Sequence, residues 1–425
     1  MNPSIINLPT EALQLRYQQI RKQTEKICSP LEPEDTVVQP MVDVSPPKWH
    51  LAHTSWFFEN FFLLSAYLPN YQPFHPDYSY LFNSYYNSVG NRVQRNQRST
   101  LTRPPLREIY TYRQHVDTHL NQLLQNLDKD DVSELMPLLE LGLQHEQQHQ
   151  ELLLTDIKYI LSTNPLMPAY QTKPIKNAEE SAAKATFLSV PGGIYRIGYT
   201  GEEFCFDNEL GVHEVLLPEF KIMNRLVTNG EYLAFMQDGG YTDFRHWLDE
   251  GWAMVQQQHL EAPLYWVKQD NQWFRYTLHG LEEINPHEPV CHVSFYEADA
   301  YANWAGKRLL TEFEWEAASQ VYLPGGGNFV DSNMLEPQPA LASETGLQQL
   351  FGDTWEWTYS AYHPYPGFSK APGAIGEYNG KFMVNQMVLR GGSCATPANH
   401  IRPTYRNFFH PDKRWQFSGI RLASK

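Results

Sequence analysis

The spacing of apolar residues changes character once along this 425-residue chain, and that change limits what it can fold into. Up to about residue 162, apolar positions recur every three or four residues, the period of a helix buried on one face. From about residue 187 they fall into short runs cut by Gly and Pro, such as FLSVPGGIYRIG, HEVLLPEFKIM and VLRGGS. That is the grammar of short strands and loops. Between the two, residues 163–186 (TNPLMPAYQTKPIKNAEESAAKAT) are polar and proline-containing with no apolar period, and read as a linker. Two patterns imply two cores, so domains are expected over 1–162 and 187–425, within the two or three suggested by a length prior of roughly 150 residues each.

The first part holds four helical segments. Residues 11–27 form a polar-rich first helix, and a second follows the Pro46-Pro47 pair, since Pro is tolerated in a first turn. In that second segment Trp49, Trp56, Phe57, Phe61 and Leu64 form one broad stripe. A third helix over about 107–127 presents Ile109, Tyr112, Val116, Leu120, Leu123 and Leu127, and a fourth over about 131–161 carries Leu135, Leu138, Leu152, Leu153 and Ile160. A four-helix bundle follows, with one connection, 69–105, too long to be idle. The second part reads as a loop-rich α+β domain with helices at 296–305 and 311–319 and no solenoid repeat.

Composition removes several classes. Hydrophobic residues at 42% against 19% charged describe a globular chain. A net charge of −15 argues against a phosphate-tracking surface, so no nucleic-acid partner is expected. The most apolar run, WFFENFFLLSAYL, is broken by Glu59 and Asn60, and nothing approaches the ~18 apolar residues of a membrane span. With no apolar secretory segment at the start, a soluble cytoplasmic setting is expected. Cys28, Cys205, Cys291 and Cys394 lie far apart without a CxxC, against a disulfide framework, a zinc ribbon or a dithiol site. The aromatic load, 25 Tyr, 22 Phe and 11 Trp, is mostly assigned to cores and pinned loops.

The sharpest local signal is HEQQH at 145–149. Four residues apart on a helix, His145 and His149 project from one face and can share a metal ion. The phase turns both into the bundle, where polar groups need partners. The same five residues match HExxH, in which Glu146 would be the general base of a zinc hydrolase. A second pair, His115 and His119, has identical spacing but is placed on the solvated side. A third ligand is available from WHLAH at 49–53, where helical phase does not choose between His50 and His53. Three imidazoles leave open positions for substrate and O2, yet suit zinc as well as non-haem iron.

PPKWHLAHTSWFFENF together with HEQQHQELLL resembles the DinB-like iron-binding bundle of the ergothioneine-biosynthesis sulfoxide synthases. The second part, through PVCHVSFYEADAYANWAGKRLLTEFEWEAA, FGDTWEWT, VLRGGSC and RWQFSGIRL, resembles the formylglycine-generating-enzyme-like domain. The resemblance implies a multidomain fold: an N-terminal DinB-like four-helix bundle followed by a loop-rich α+β, C-type-lectin-like domain. It implies Fe(II) held by His53, His145 and His149, with His50 left to packing or to supporting a ligand from behind. It places Gln148 on the substrate imidazole. FNSYYNSVGNRVQR resembles the active-site loop of the cysteine-using branch, with Tyr85 and Tyr86 near iron and Arg95 on the donor carboxylate. Phe408 and Phe409 would face a quaternary ammonium through cation–π contact, Arg414 would pair with a substrate carboxylate, and Asp43 with the donor amino group. Formylglycine-generating enzymes carry a reactive cysteine pair in this C-terminal segment, whereas Cys394 stands alone, so that chemistry is not expected.

The implied reaction joins the sulfur of cysteine to C2 of N-α-trimethylhistidine (hercynine) and oxidises it to the sulfoxide, with O2 as co-substrate, hercynine and cysteine as small-molecule partners, no nucleic acid or membrane, and the oligomeric state left open. Sibling reactions with γ-glutamylcysteine, a selenium donor or unmethylated histidine stand beside it. Zinc hydrolysis through Glu146 and a catalytically silent betaine- or peptide-binding protein are the readings from other classes.

Overall fold

Four of the apolar periods become long helices with a short one between them: α1 (Thr10–Cys28), α2 (Pro47–Phe58), α3 (Tyr78–Phe82), α4 (Leu106–Asn126) and α5 (Lys129–Ser162). The computed structural model describes residues 10–64, 70–126, 129–174, 183–323, 325–342, 346–370, 376 and 379–424. Within these, contacts divide the chain into two units, the first running to Tyr170 and taking in Gly201–Phe204, the second starting at Gln171. Part of the expected linker, 175–182, lies outside the described residues, as does Leu127 of the third apolar face. The described part 163–174 is not idle chain, since the Tyr170 hydroxyl donates to the Ile27 carbonyl at 2.8 Å.

In the first unit α2 is the central helix, packed against α1, α4 and α5. The sequence predicts one aromatic stripe, but all twelve residues of α2 are buried. With neighbours on every side, periodicity has no solvent face to mark. Beyond α2 the chain continues as a π-helical turn, Glu59–Leu63, which holds an extra residue per turn and so shifts the phase. Leu64, expected in the stripe, is 44% exposed. Glu59 anchors the turn, accepting from the Tyr71 hydroxyl at 2.7 Å, the Tyr112 hydroxyl at 2.6 Å and the Phe74 amide at 2.9 Å. The close approach of α5 to α2 depends on Gly142, where an added Cβ would lie 2.7 Å from a Phe58 ring carbon.

The second unit is built from short strands. Strands β1 (Phe187–Val190), β2 (Gly193–Ile197), β3 (His213–Leu217) and β4 (Phe220–Met223) open it, and helices α6 (Asn229–Gln237) and α7 (Asp249–Gln258) follow. Next come β5 (Trp266–Gln269), β6 (Gln272–Thr277), β7 (Gly280–Glu283), α8 (Phe295–Trp304), β8 (Arg308–Leu309) and α9 (Glu312–Tyr322). The chain ends with β9 (Trp355–Ala361), β10 (Met387–Arg390), β11 (Asn407–Phe409), β12 (Ser418–Gly419) and β13 (Leu422–Ala423). One sheet has the order β1-β4-β13-β8, so the last strand is inserted between β4 and β8. A second has the order β11-β10-β9-β12, and β2-β3 and β5-β6-β7 stand as smaller sheets. Val190, Phe220, Ile222, Leu310 and Trp315 share a core under the first sheet.

The helices predicted at 296–305 and 311–319 are α8 and α9; α6 and α7 were not foreseen. Three of these four start alike. Thr228, Ser294 and Thr311 each accept from the backbone N–H three residues on, and Glu231, Glu297 and Glu314 reach back to the cap. Such capping boxes satisfy orphan donors of the first turn and fix helix starts in a unit with little regular structure.

Candidate metal centre

The sequence of α5 sets His145 and His149 one turn apart, and α2 presents His53 to the same point. One ring nitrogen from each of His53, His145 and His149 lies within 4.8 Å of the others, and all three residues are buried. His53 Nε2 and His145 Nε2 are 3.3 Å apart. Such spacing is close to what one ion asks of imidazole ligands at roughly 2.0–2.1 Å each.

The far nitrogens fix the rings. His53 Nδ1 donates to the Phe82 carbonyl at 2.6 Å, leaving Nε2 for the cluster. His149 Nδ1 lies 2.9 Å from His50 Nδ1, and His50 Nε2 lies 3.0 Å from Asp156 Oδ2. His53 is also clamped between two rings of its own helix. Trp49 stacks on it at 4.5 Å and 11°, and Trp56 at 5.2 Å and 17°. The Arg98 guanidinium caps the outer face of Trp49 at 3.4 Å and donates to Ser45 Oγ at 2.7 Å.

Burial, then the neighbouring imidazoles, push His53 and His149 well below the ordinary histidine range, and the Arg98 charge adds to both. For His145, burial outweighs the attraction of Glu146 and lowers the pKa to about 3. All three rings are therefore neutral, each with one unprotonated nitrogen that can offer a lone pair. This donor set fits a divalent first-row ion, although residue type alone does not choose iron over zinc.

Glu146 points elsewhere. Its two carboxylate oxygens accept from Arg21 Nη1 at 2.9 Å, Arg113 Nη2 at 3.0 Å and Thr24 Oγ1 at 2.7 Å, all buried. Burial would raise its pKa, but Arg21 and Arg113 outweigh it and hold the carboxyl at about 2. A helix turns 100° per residue, so the neighbour of a ligand at i+1 leaves the ligand face. The general base demanded by the zinc-hydrolase reading is committed to a core ion network.

The remaining expected residues are spread across both units. Tyr86 is fully buried, with its ring 5.5 Å from Trp56, 6.1 Å from Phe57 and 5.3 Å from Phe61, while the Phe57 ring lies 4.7 Å from His145. Half-buried Tyr85 stacks on Tyr86 at 4.7 Å. The Asn83 amide shapes this loop, donating to the carbonyls of Tyr86 and Gly90 and accepting from the Tyr86 N–H. Arg95 is exposed, and its Nη2 donates to the Asp43 carbonyl at 2.6 Å, so these two lie side by side. Gln148 is half-buried on α5. In the second unit, half-buried Phe408 stacks on Tyr362 at 4.1 Å and 11°, and Phe409 meets Trp415 edge-on at 5.4 Å. Arg414 is bound within its own unit, with Nη2 3.0 Å from Glu297 Oε1 and 2.5 Å from the Ala262 carbonyl. Cys394 is fully buried.

The pair His115 and His119 is not on the solvated side. Both are half-buried, packed on Tyr71 at 5.7 and 5.2 Å, because the 70–105 connection folds over that face of α4. Sequence reasoning missed Asp156, although it follows His149 by two helical turns on the same face. It also missed Arg98 and the pair Arg21 and Arg113, for which periodicity gives no sign.

Fold and cluster together define a DinB-type helical bundle with a buried three-histidine cluster, followed by a sulfatase-modifying-factor-like domain. Residues 16–153 match the DinB superfamily, and residues 171–340 and 328–425 match the sulfatase-modifying factor enzyme 1-like domain. The chain is 33% identical over 407 residues to the hercynine oxygenase of Mycolicibacterium smegmatis, covering 89% of this chain and 91% of that protein. It is 36% identical over 304 residues to the hercynine oxygenase of Mycolicibacterium thermoresistibile, covering 66% and 67%. A formylglycine-generating enzyme of Thermomonospora curvata is 29% identical over 307 residues, covering 61% of this chain and 99% of that one. The chain belongs to the hercynine oxygenase family.

Proposed function

We propose that this protein is an O2-dependent iron(II) sulfoxide synthase that couples the sulfur of cysteine to C2 of the hercynine imidazole, in ergothioneine biosynthesis. The observation carrying the reading is the neutral, buried cluster of His53, His145 and His149, with Glu146 of the HEQQH motif sequestered by two arginines. The balance is thiol plus imidazole C–H plus O2 giving sulfoxide plus water. Forming the C–S bond and oxidising the sulfur each supply two electrons, which together reduce O2. Iron(II), held by His53, His145 and His149, supplies the O2 chemistry.

The protein's own residues bind, orient and donate protons. Arg95 clamps the carboxylate of the donor and Asp43 takes its ammonium; the contact between these two residues supports a shared task. Gln148 hydrogen-bonds the substrate imidazole. Tyr86 supplies the proton that favours C–S bond formation over simple thiol oxidation, and burial recommends it over half-buried Tyr85.

The test is to load the protein anaerobically with Fe(II), offer hercynine and O2 with cysteine, γ-glutamylcysteine or selenocysteine in turn, and identify products by mass spectrometry. Hercynylcysteine sulfoxide from cysteine is expected. Product only from γ-glutamylcysteine would move the protein to the sibling reaction, and turnover without O2 would overturn the oxygenase reading.

A further inference from the structure

Asp156, His50 and His149 form an unbroken buried chain behind the cluster. Asp156 Oδ2 accepts the Ser45 N–H at 2.8 Å and lies 3.0 Å from His50 Nε2, and His50 Nδ1 faces His149 Nδ1 at 2.9 Å. All four residues are buried. We infer that Asp156 and His50 are positioning residues, a carboxylate–imidazole relay that sets the tautomer of His149 and aims its Nε2 lone pair at the metal. The inference rests on the reading that His53, His145 and His149 hold that metal.

Hydrogen-bond bookkeeping allows one arrangement that leaves His149 open to a metal. A carboxylate that accepts from Ser45 also accepts from His50, which places the His50 proton on Nε2. A neutral imidazole has one N–H, so His50 Nδ1 carries a lone pair. The nitrogen facing it must then supply a proton, so His149 is protonated at Nδ1 and unprotonated at Nε2. Reversing the chain would put the proton of His149 on Nε2 and close it to a metal. Ligating histidines commonly pass their second N–H to a carboxylate or carbonyl. His53 follows that rule directly through Phe82, whereas His149 reaches its carboxylate through a second imidazole. Negative charge is thus delivered to His149 through an intervening imidazole.

Two measurements on the full-length protein test this without reference to turnover. In the Zn(II)-loaded protein, ring ¹⁵N shifts should show His50 as the Nε2–H tautomer. The H50F variant should bind Zn(II) about 10–100-fold more weakly than wild type. The H50Q variant, whose side-chain oxygen can accept from His149, should recover part of that loss. An Nδ1–H tautomer at His50, or H50F affinity equal to wild type, would overturn the relay. Should H50F fail to fold, the tautomer in the wild-type protein decides alone. Wild type that binds no Zn(II) through the three histidines would instead remove the metal reading itself, a result distinct from failure of the relay.

Discussion

Replacing Glu146 by Gln separates a structural carboxylate from a catalytic one. The side chain is fully buried and ties Arg21, Arg113 and Thr24 together. Gln keeps one acceptor but turns an N–H2 donor toward a guanidinium, so one of the two arginines loses its charged hydrogen bond to this side chain. Removing one partner of a buried pair costs about 3–5 kcal/mol, because the other charge stays behind unpaired. Arg21 retains Asp117 at 2.7 Å, and Arg113 retains Glu25 at 3.4 Å, which is 40% exposed, together with the Leu51 carbonyl at 2.9 Å and Thr54 Oγ1 at 2.8 Å. The lower end, about 3 kcal/mol, is therefore expected. For a unit of this size that lowers the Tm by roughly 6–12 °C. The assay is calorimetry of the full chain at neutral pH, with turnover measured well below the transition. The expected variant is destabilised but active while folded. Unchanged Tm with abolished turnover would refute the reasoning and restore Glu146 as a general base.

Other perturbations probe different layers. His145→Ala or His149→Ala should abolish Fe(II) retention and product formation, read by metal analysis and mass spectrometry. Tyr86→Phe should shift product from the coupled sulfoxide toward oxidised cysteine, with Tyr85→Phe milder; an unchanged product ratio would remove Tyr86 from the chemistry. The metal-free protein should lose stability as pH falls below about 6.5, since the three buried imidazoles stay neutral when folded but protonate on unfolding. Glu146 adds loss of the same sign between 4.5 and about 2, and denaturant midpoints measured from pH 7 to 5 should fall throughout. Gly142→Ala should destabilise by about 1–3 kcal/mol despite better helix propensity, because its methyl meets Phe58; a higher unfolding midpoint would contradict that packing.

The long helices were legible because each buries one face, and period reports that directly. It failed for α2, which has no outer face. The HEQQH pair was visible as a metal face, and Asp156 was within reach of the same rule had it been carried two turns further. The role of Glu146 was hidden because its partners, Arg21 and Arg113, are 125 and 33 residues away in sequence. Helix α6 begins with the capping box TNGE, the same device as SFYE and TEFE, yet its apolar residues are too few to announce nine helical positions. The choice of His53 over His50 came only from family resemblance; here His53 joins the cluster, and His50 sits behind His149.

A helix buried on every side has no position at which substitution is cheap. α2 carries His50, His53, Trp49 and Trp56 together, so its sequence can drift little without disturbing the cluster. The 70–105 connection is different: Arg95 is exposed and Tyr85 half-buried there. If Arg95 and Tyr85 have the roles proposed for them, altering the sulfur donor is best directed at that connection, with α2 left untouched as the fixed mount.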